Sequence, residues 1–394
     1  MIRWSLAALL TLTLPASAWA QPGAGTFERV TSFGENPGDL TMHRYSPSPA
    51  APAGAPVVIV LHGCTVDAST MRSLGWEPLA DAFGFHVVYP AQSLLNHPGG
   101  CFSWTGEAGG AADLRRGEGE NRSIISMLDH MQGEHGAAPE RAFVMGHSAG
   151  GAMPLVMLAT WPDRFAGGGV FAAIPYRCAD TAGSVACQTL GHDRTPEAWA
   201  AEVRAASDHV GPWPRLSIWH GALDTIVNPS NQREILDQWT ALHGATPVAE
   251  VTSSEDEYTH SSFAGGAVET WRIPLGGHAT FVDPGSGCGV PDRYVESAGI
   301  CAVERLVTFF DLDRAPVDPR ADAGPPAAED ASVMNRDSGP TRQEAGAADA
   351  GVSVRVDGGD APMGGGCAMS STRAERSTPL AVLAVLGLLR RRLR

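Results

Sequence analysis

Apolar residues along this chain gather into short runs at 56–61, 85–89, 142–145, 167–174 and 216–220, the first of them continuous. Runs of that length, rich in Val, Ile, Leu and Phe, read as strands buried on both faces, as a parallel sheet requires. Residues 268–273 alternate apolar and polar and read as a more exposed strand. Stretches near 27–30 and 42–45 are short strand candidates. Between the runs the spacing turns helical, around 74–83, 231–243 and 303–310. A further helix carries Ile124, Ile125, Leu128 and Met131 on one face, with Asn121 as its expected N-cap. Strands and helices in alternation predict an α/β architecture: a mostly parallel, doubly wound sheet with flanking helices. Two stretches interrupt the rhythm. Residues 91–117 form a long loop around Cys101 and Trp104, and residues 178–212 a cysteine-containing excursion that reads as a lid.

The two ends follow other patterns. Arg3, an apolar stretch at 4–14 and Ala18-Trp19-Ala20 make a secretory signal, with cleavage expected after Ala20. The apolar stretch is too short to span a bilayer. Beyond about Arg314, large apolar residues nearly vanish and Pro, Ala, Gly and Asp dominate, with Asp-Ala-Gly recurring at 322–324 and 349–351. Such a segment cannot bury a core and reads as a spacer. At the far end, Cys367 is followed by an apolar run at 379–389 and then Arg390, Arg391, Arg392 and Arg394. Arginines capping an apolar run are the pattern of a membrane-held segment with its basic end on the cytoplasmic side. The expected organisation is a signal peptide at 1–20, a folded domain at 21–312, a disordered linker at 313–366 and a sorting or membrane segment at 367–394.

Composition narrows the chemistry. The 394 residues include no lysine and carry a formal charge of -15, which argues against a nucleic-acid partner. Six of the seven cysteines fall within 21–312, and export permits disulfides. Sequence alone does not choose among the pairings. Nearest-neighbour closure favours Cys178 with Cys187 and Cys288 with Cys301, leaving Cys64 with Cys101. No C-x-x-C is present, so zinc-cluster and redox readings lack support. His130, Glu134 and His135 are spaced H-x-x-x-E-H, which matches neither H-E-x-x-H nor H-x-x-E-H.

The strand at 142–145 runs into Gly146-His147-Ser148-Ala149-Gly150 and then into helix-forming residues. Gly-x-Ser-x-Gly between strand and helix is a nucleophile elbow, in which the serine sits on a strained turn at a helix N-terminus. Gly146 and Gly150 are expected to supply backbone freedom and close approach. A serine hydroxyl needs a base within reach and an acid to orient that base. On this fold they follow in the order acid, then histidine. Asp224 follows the strand at 216–220, and His278 follows the strand at 268–273. Asp208, Asp237 and Asp283 compete for the acid, and His220, His243 and His260 for the base; His260, in a polar loop, is the strongest rival. The oxyanion hole needs two backbone N–H groups, expected from Ala149 and from Cys64 in the turn after the first core strand. His62 and His147 read as hydrogen-bonded framework residues.

These residues resemble a known family. Leu61-His62-Gly63-Cys64-Thr65, Tyr89-Pro90, Gly146 through Met153, Pro214 through Gly221, Asp224 to Pro229 and Gly277-His278-Ala279 are similar to the esterase family of poly(3-hydroxybutyrate) depolymerases, which includes feruloyl and acetylxylan esterases. The resemblance spans roughly residues 25–312. It implies an α/β-hydrolase fold, a Ser148/Asp224/His278 triad, an oxyanion hole at Cys64 and Ala149, and carboxylic ester substrates. The family often carries Cys-Trp-Asn-Trp where this chain has Cys101-Phe102-Ser103-Trp104, a loop that lines the cleft and makes Trp104 a candidate substrate contact. The tail resembles C-terminal sorting signals of myxobacterial surface proteins, which implies cell-surface retention, membrane contact through the tail and a sorting protease at Cys367. The expectation is an exported serine esterase needing no metal or organic cofactor, acting on short-chain polyesters. Plant cell-wall esters are the alternative, and a non-catalytic surface binding module the remote one.

Overall fold

A computed structural model describes residues 23–106, 112–255 and 257–314. The signal segment, the linker beyond Arg314 and the tail with Cys367 lie outside the described residues. Strands β1 (Thr26–Val30) and β2 (Thr41–Ser46) lead into β3 (Val57–Leu61), all of whose residues are buried. Helices α1 (Ala68–Arg72) and α2 (Trp76–Phe83) precede β4 (His86–Ala91). Helix α3 (Gly119–His135) leads to β5 (Ala142–His147), and α4 (Ala149–Thr160) to β6 (Gly167–Phe171). The excursion folds as three helices, α5 (Cys178–Ala182), α6 (Ser184–Thr189) and α7 (Pro196–Arg204), before β7 (Arg215–Gly221). After α8 (Ser230–Leu242) come β8 (Val251–Ser254), β9 (Thr259–Phe263) and β10 (Val268–Ile273). A small second sheet, β11 (Thr280–Val282) with β12 (Val295–Ser297), precedes α9 (Ala302–Phe309).

The large sheet has the order β1-β2-β4-β3-β5-β6-β7-β10-β9-β8. Its centre, from β4 to β10, is parallel throughout. Antiparallel strands close both edges. The largely apolar runs follow from this arrangement, because each central strand is covered on both faces. Val57, Ile59 and Leu61 of β3 join a core built with α3, α4, α7 and α8, while Val58 and Val60 join a second core with α1, α2 and α9. The α/β reading with a mostly parallel sheet therefore holds.

Three local expectations change. β4 continues through Pro90, which lies opposite Met42, instead of ending there. Asn121 does not cap α3; Glu118 is the N-cap residue, and Asn121 is fully buried inside the helix. Its amide donates to Thr160 Oγ1 at 2.7 Å and accepts from Trp161 Nε1, so it bridges α3 to the end of α4. His260 lies on β9, not in a loop. The expected cysteine pairs are all present: Cys64–Cys101, Cys178–Cys187 and Cys288–Cys301.

Candidate active site

Parallel strands deliver the loops that follow them to one end of the sheet. β5 ends at His147, and Ser148 then takes φ 58° and ψ −122° before α4 begins at Ala149. A non-glycine residue at that backbone geometry is strained, and such strain persists only where the surroundings over-determine it. The glycines explain how. A methyl on Gly150 would overlap the carbonyl oxygens of Leu61 and His62, and one on Gly146 the carbonyl of Gly150. Neither glycine has a positive φ. Close approach alone selects them, and the strain sits on the serine itself.

Asp224 and His278 leave the sheet from the neighbouring strands β7 and β10. Two hydrogen bonds zip their turns together, from Ala222 N to Ile273 O (2.8 Å) and from Leu223 N to Gly276 O (2.9 Å). Asp224 Oδ2 meets His278 Nδ1 at 2.8 Å, and both side chains are buried. Asp224 Oδ1 accepts from the N–H groups of Ile226 and Val227, both at 2.8 Å. His220, on β7, brings Nε2 to 3.3 Å from Asp224 Oδ2. Burial alone would raise the Asp224 carboxyl, but the hydrogen bonds of His220, His278 and Val227 outweigh it and hold it well below the usual range. Asp224 is thus a fixed carboxylate. With a carboxylate as partner, His278 Nδ1 is the donor, so in the neutral imidazole Nε2 is the accepting nitrogen.

Ser148 adjoins this pair through its neighbour: the ring of His147 lies 4.6 Å from that of His278. Among the described residues the Ser148 hydroxyl makes no hydrogen bond. His147 is buried, and burial, then the neighbouring His278, push its imidazole well below its ordinary range. Its two ring nitrogens meet no well-aligned hydrogen-bond partner among the described residues, and its ring packs against those of His278 and Tyr294. His62 is the hydrogen-bonded framework residue expected: Nδ1 donates to Gly63 O at 2.8 Å and Nε2 accepts from Gln92 N at 2.9 Å.

The N–H groups of Cys64 and Ala149 have no hydrogen-bond partner among the described residues. Gly63 runs close to Ser148, and a methyl on Gly63 would stand 3.4 Å from Ser148 Cβ. The Cys64 thiol is consumed by its bond to Cys101, which also fixes the loop carrying Trp104. Trp104 packs against Ile174, Trp199, Val227 and the Cys178–Cys187 disulfide, so the excursion and the long loop meet there.

No motif or periodicity pointed to the group that anchors this loop. Glu120, in the first turn of α3, is buried and accepts from Ser103 N at 2.8 Å, Ser103 Oγ at 3.2 Å and Gln92 Nε2. Gln92 also donates to Cys101 O at 3.2 Å and, through its backbone, to His62. Burial pushes the Glu120 carboxyl up to about 7, against the pull of its hydrogen bonds. Burial raises the neighbouring Asp113 as well, whose Oδ1 accepts from Glu120 N. Local periodicity cannot reveal such a residue, because its partners lie on other segments.

The rivals are accounted for elsewhere. His260 is 2.9 Å from Glu269 and stacks on Trp271. His243 donates to Pro214 O at 3.2 Å, and Asp237 pairs with Arg233 at 2.7 Å. His135 is bonded to Arg44. Among the described residues, Cys288, Cys301 and Glu304 are close enough together to hold a metal ion, but the two sulfurs are joined to each other.

Comparison with known proteins points to esterases. A family model described as Esterase PHB depolymerase matches residues 40–256. Poly(3-hydroxyalkanoate) depolymerase C of Paucimonas lemoignei is 41% identical over 293 residues, which is 72% of this chain and 70% of that protein. Feruloyl esterase B of Talaromyces stipitatus is 30% identical over 60% of this chain and 67% of its own length. Among solved structures, the acetyl xylan esterase from Aspergillus awamori aligns with a TM-score of 0.60 at 26% identity, over 73% of this chain and 100% of that one.

Proposed function

The chain belongs to the PHB depolymerase esterase family and is a carboxylic ester hydrolase, and we propose that it is an exported serine esterase of α/β-hydrolase fold with the triad Ser148, His278 and Asp224. The reading rests on one observation above the rest. Asp224 and His278 are hydrogen-bonded at 2.8 Å on turns that leave the sheet at the same end as the strained Ser148. Binding of substrate closes the remaining contact, from the serine hydroxyl to His278 Nε2; such contacts commonly tighten only in the complex. Nε2 takes the proton as Ser148 attacks the ester carbonyl, and Asp224 stabilises the resulting imidazolium. The free N–H groups of Cys64 and Ala149 receive the developing oxyanion, each such donor contributing about 3 kcal/mol. His278 then protonates the departing alcohol, and a water activated by the same nitrogen hydrolyses the acyl-enzyme.

The favoured substrates are short-chain polyesters of the poly(3-hydroxybutyrate) type. The similarity to a poly(3-hydroxyalkanoate) depolymerase over most of the chain supports this. So do exposed leucines beside the site: Leu94 and Leu95 after β4, Leu223 next to Asp224, and Leu275 shortly before His278. Trp104 is the proposed contact for the acyl chain. Plant cell-wall esters are the second reading, supported by the feruloyl and acetylxylan esterase relatives. Three disulfides suit an oxidising compartment, and the domain at 21–312 is the proposed catalytic unit. Surface retention through the tail is proposed from its sequence alone.

Hydrolysis of p-nitrophenyl butyrate, amorphous poly(3-hydroxybutyrate), methyl ferulate and acetylated xylan tests the reading, with Ser148→Ala as the blank. Clearing of the polyester, lost in the variant by about four orders of magnitude or more, is the expected result. Turnover of ferulate or xylan acetate without polyester clearing would move the enzyme to the cell-wall class. Unchanged turnover in Ser148→Ala would remove the mechanism.

A further inference from the structure

One set of contacts around the site has no part in the mechanism above. The segment between Asp283 and Ile300 is closed by the Cys288–Cys301 disulfide and folds back against the residues that follow His278. β11 begins two residues after His278 and pairs with β12 of this segment, with Thr280 opposite Val295 and Phe281 opposite Glu296. Thr280 N donates to Tyr294 O at 2.9 Å. That register carries the Tyr294 side chain to the candidate base. Its ring centroid is 5.6 Å from that of His278 at an interplanar angle of 82°, an edge-to-face contact. The same ring stacks over His147 at 5.7 Å. His147, His278 and Tyr294 therefore form one three-ring cluster.

The neighbours of Tyr294 hold it in place. Arg293 Nη1 donates to Thr65 O at 3.3 Å, and its guanidinium lies 5.2 Å from the Tyr294 ring. Glu296 Oε2 accepts from Gly277 N at 2.9 Å. Thr65 follows Cys64 in the oxyanion turn, and Gly277 precedes His278. Three residues of one disulfide-closed segment thus touch the oxyanion turn, the imidazole and the backbone that carries it. Tyr294 itself has φ 59°, a left-handed conformation that a bulky side chain adopts only under constraint. Glycine would fit that backbone without strain, so the aromatic ring is not there to satisfy the turn.

We infer that Tyr294 is a positioning residue for His278, delivered by the Cys288–Cys301 loop. The inference rests on the reading of His278 as the catalytic base. The hydrogen bond to Asp224 fixes Nδ1 and leaves the rest of the imidazole able to tilt about that point. The rings of Tyr294 and His147 close off that tilt, which keeps Nε2 aimed at Ser148. Misplacement of a catalytic group by about an ångström can cost about 100-fold in rate.

The test uses the full chain with Tyr294→Gly, Tyr294→Phe and His278→Ala, assayed on p-nitrophenyl butyrate, with thermal unfolding read alongside. Tyr294→Gly removes the ring and relieves the strained backbone, so its melting temperature should stay near that of the wild type. Its kcat should fall about 10- to 100-fold with KM changed less than about twofold. Tyr294→Phe keeps the ring and should restore kcat to within about threefold, because the contact is made by the ring edge and not by the hydroxyl. A wild-type kcat in Tyr294→Gly, a defect confined to KM, a loss that phenylalanine does not restore, or a loss of activity in step with loss of folded protein would each overturn the inference. His278→Ala separates the two levels of the argument: near-wild-type activity there would overturn the reading of His278 as the base, whereas an inactive His278→Ala beside a fully active Tyr294→Gly would overturn only the role of Tyr294.

Discussion

Asp224 divides its two oxygens between different tasks. Oδ1 is committed to the backbone N–H groups of Ile226 and Val227, while Oδ2 faces His278 and His220. This division decides what an amide would do in its place. In Asp224→Asn the carbonyl oxygen must stay on the two N–H groups, so the new NH2 is turned toward His278 Nδ1. That nitrogen can then only accept, and the imidazole proton moves to Nε2, where it blocks uptake of the serine proton. The expected result is a loss of about 10⁴-fold in kcat with the melting temperature little changed, since the shape and the two backbone bonds survive. Steady-state hydrolysis of a soluble ester checks it, and retention of a tenth of the wild-type rate would show that Asp224 does not orient the base.

At the scale of elements, Glu120 couples helix α3 to the loop that carries Trp104 and, through Gln92, to His62 beside the proposed oxyanion turn. Its carboxyl is raised by burial from 4.5 to about 7. Between those values the folded protein keeps a proton that the unfolded chain has released. The stability this group contributes is therefore complete below about pH 4.5 and declines as pH rises through about 7, by up to about 3 kcal/mol. Glu120→Gln should flatten that part of the pH profile. It should do so at a lower overall level, because the amide must point a donor at Ser103 or Gln92. Denaturant unfolding of both proteins from pH 4 to 8 gives the difference curve, and parallel curves would dismiss the assignment. The contrast with Ser148, Asp224 and His278 shows what a sequence can disclose. Those three candidates are legible because each stands within a few residues of the end of a strand run, in the Ser, Asp, His chain order that the family resemblance implies. Central strands are legible for a related reason: burial on both faces favours a largely apolar run, broken here only by residues such as His86, Ser217 and His220. β8 and β9 escaped notice because β8 is exposed at every position and β9 buries only Phe263, so no alternation marks them. Asn121 was legible as a polar residue near a helix start, but its bond to Thr160 depends on where α4 ends in space. Glu120 and Tyr294 are invisible for the same reason, since their meaning lies in contacts between distant segments.

At the scale of the whole molecule, a parallel sheet gathers its exits at one end, and here that end carries exposed leucines around the proposed site. Leu94 and Leu95 follow β4, Leu223 follows β7 and Leu275 follows β10; their exposures are 70%, 98%, 57% and 83%. Isolated exposed leucines need no explanation, but several on loops around one site mark a surface suited to an apolar partner. A soluble ester needs only the cleft. A solid aliphatic polyester must also meet the rim, and each leucine half-buried against it contributes about 1 kcal/mol. Removing two should therefore weaken adsorption by about 2 kcal/mol, a factor of about 30. Leu95→Glu with Leu275→Glu is the suitable pair, because both side chains are exposed and such changes cost the fold less than about 0.5 kcal/mol each. The double variant should hydrolyse p-nitrophenyl butyrate within about twofold of the wild type. On amorphous poly(3-hydroxybutyrate) at low enzyme concentration, where adsorption limits the rate, it should lose at least about tenfold. Binding of Ser148→Ala to the same polymer, with and without the two substitutions, separates adsorption from turnover. Equal losses on both substrates would mean that the leucines support the cleft. No loss on the polymer would remove the rim from the argument for polyesters and leave the cell-wall reading the stronger of the two.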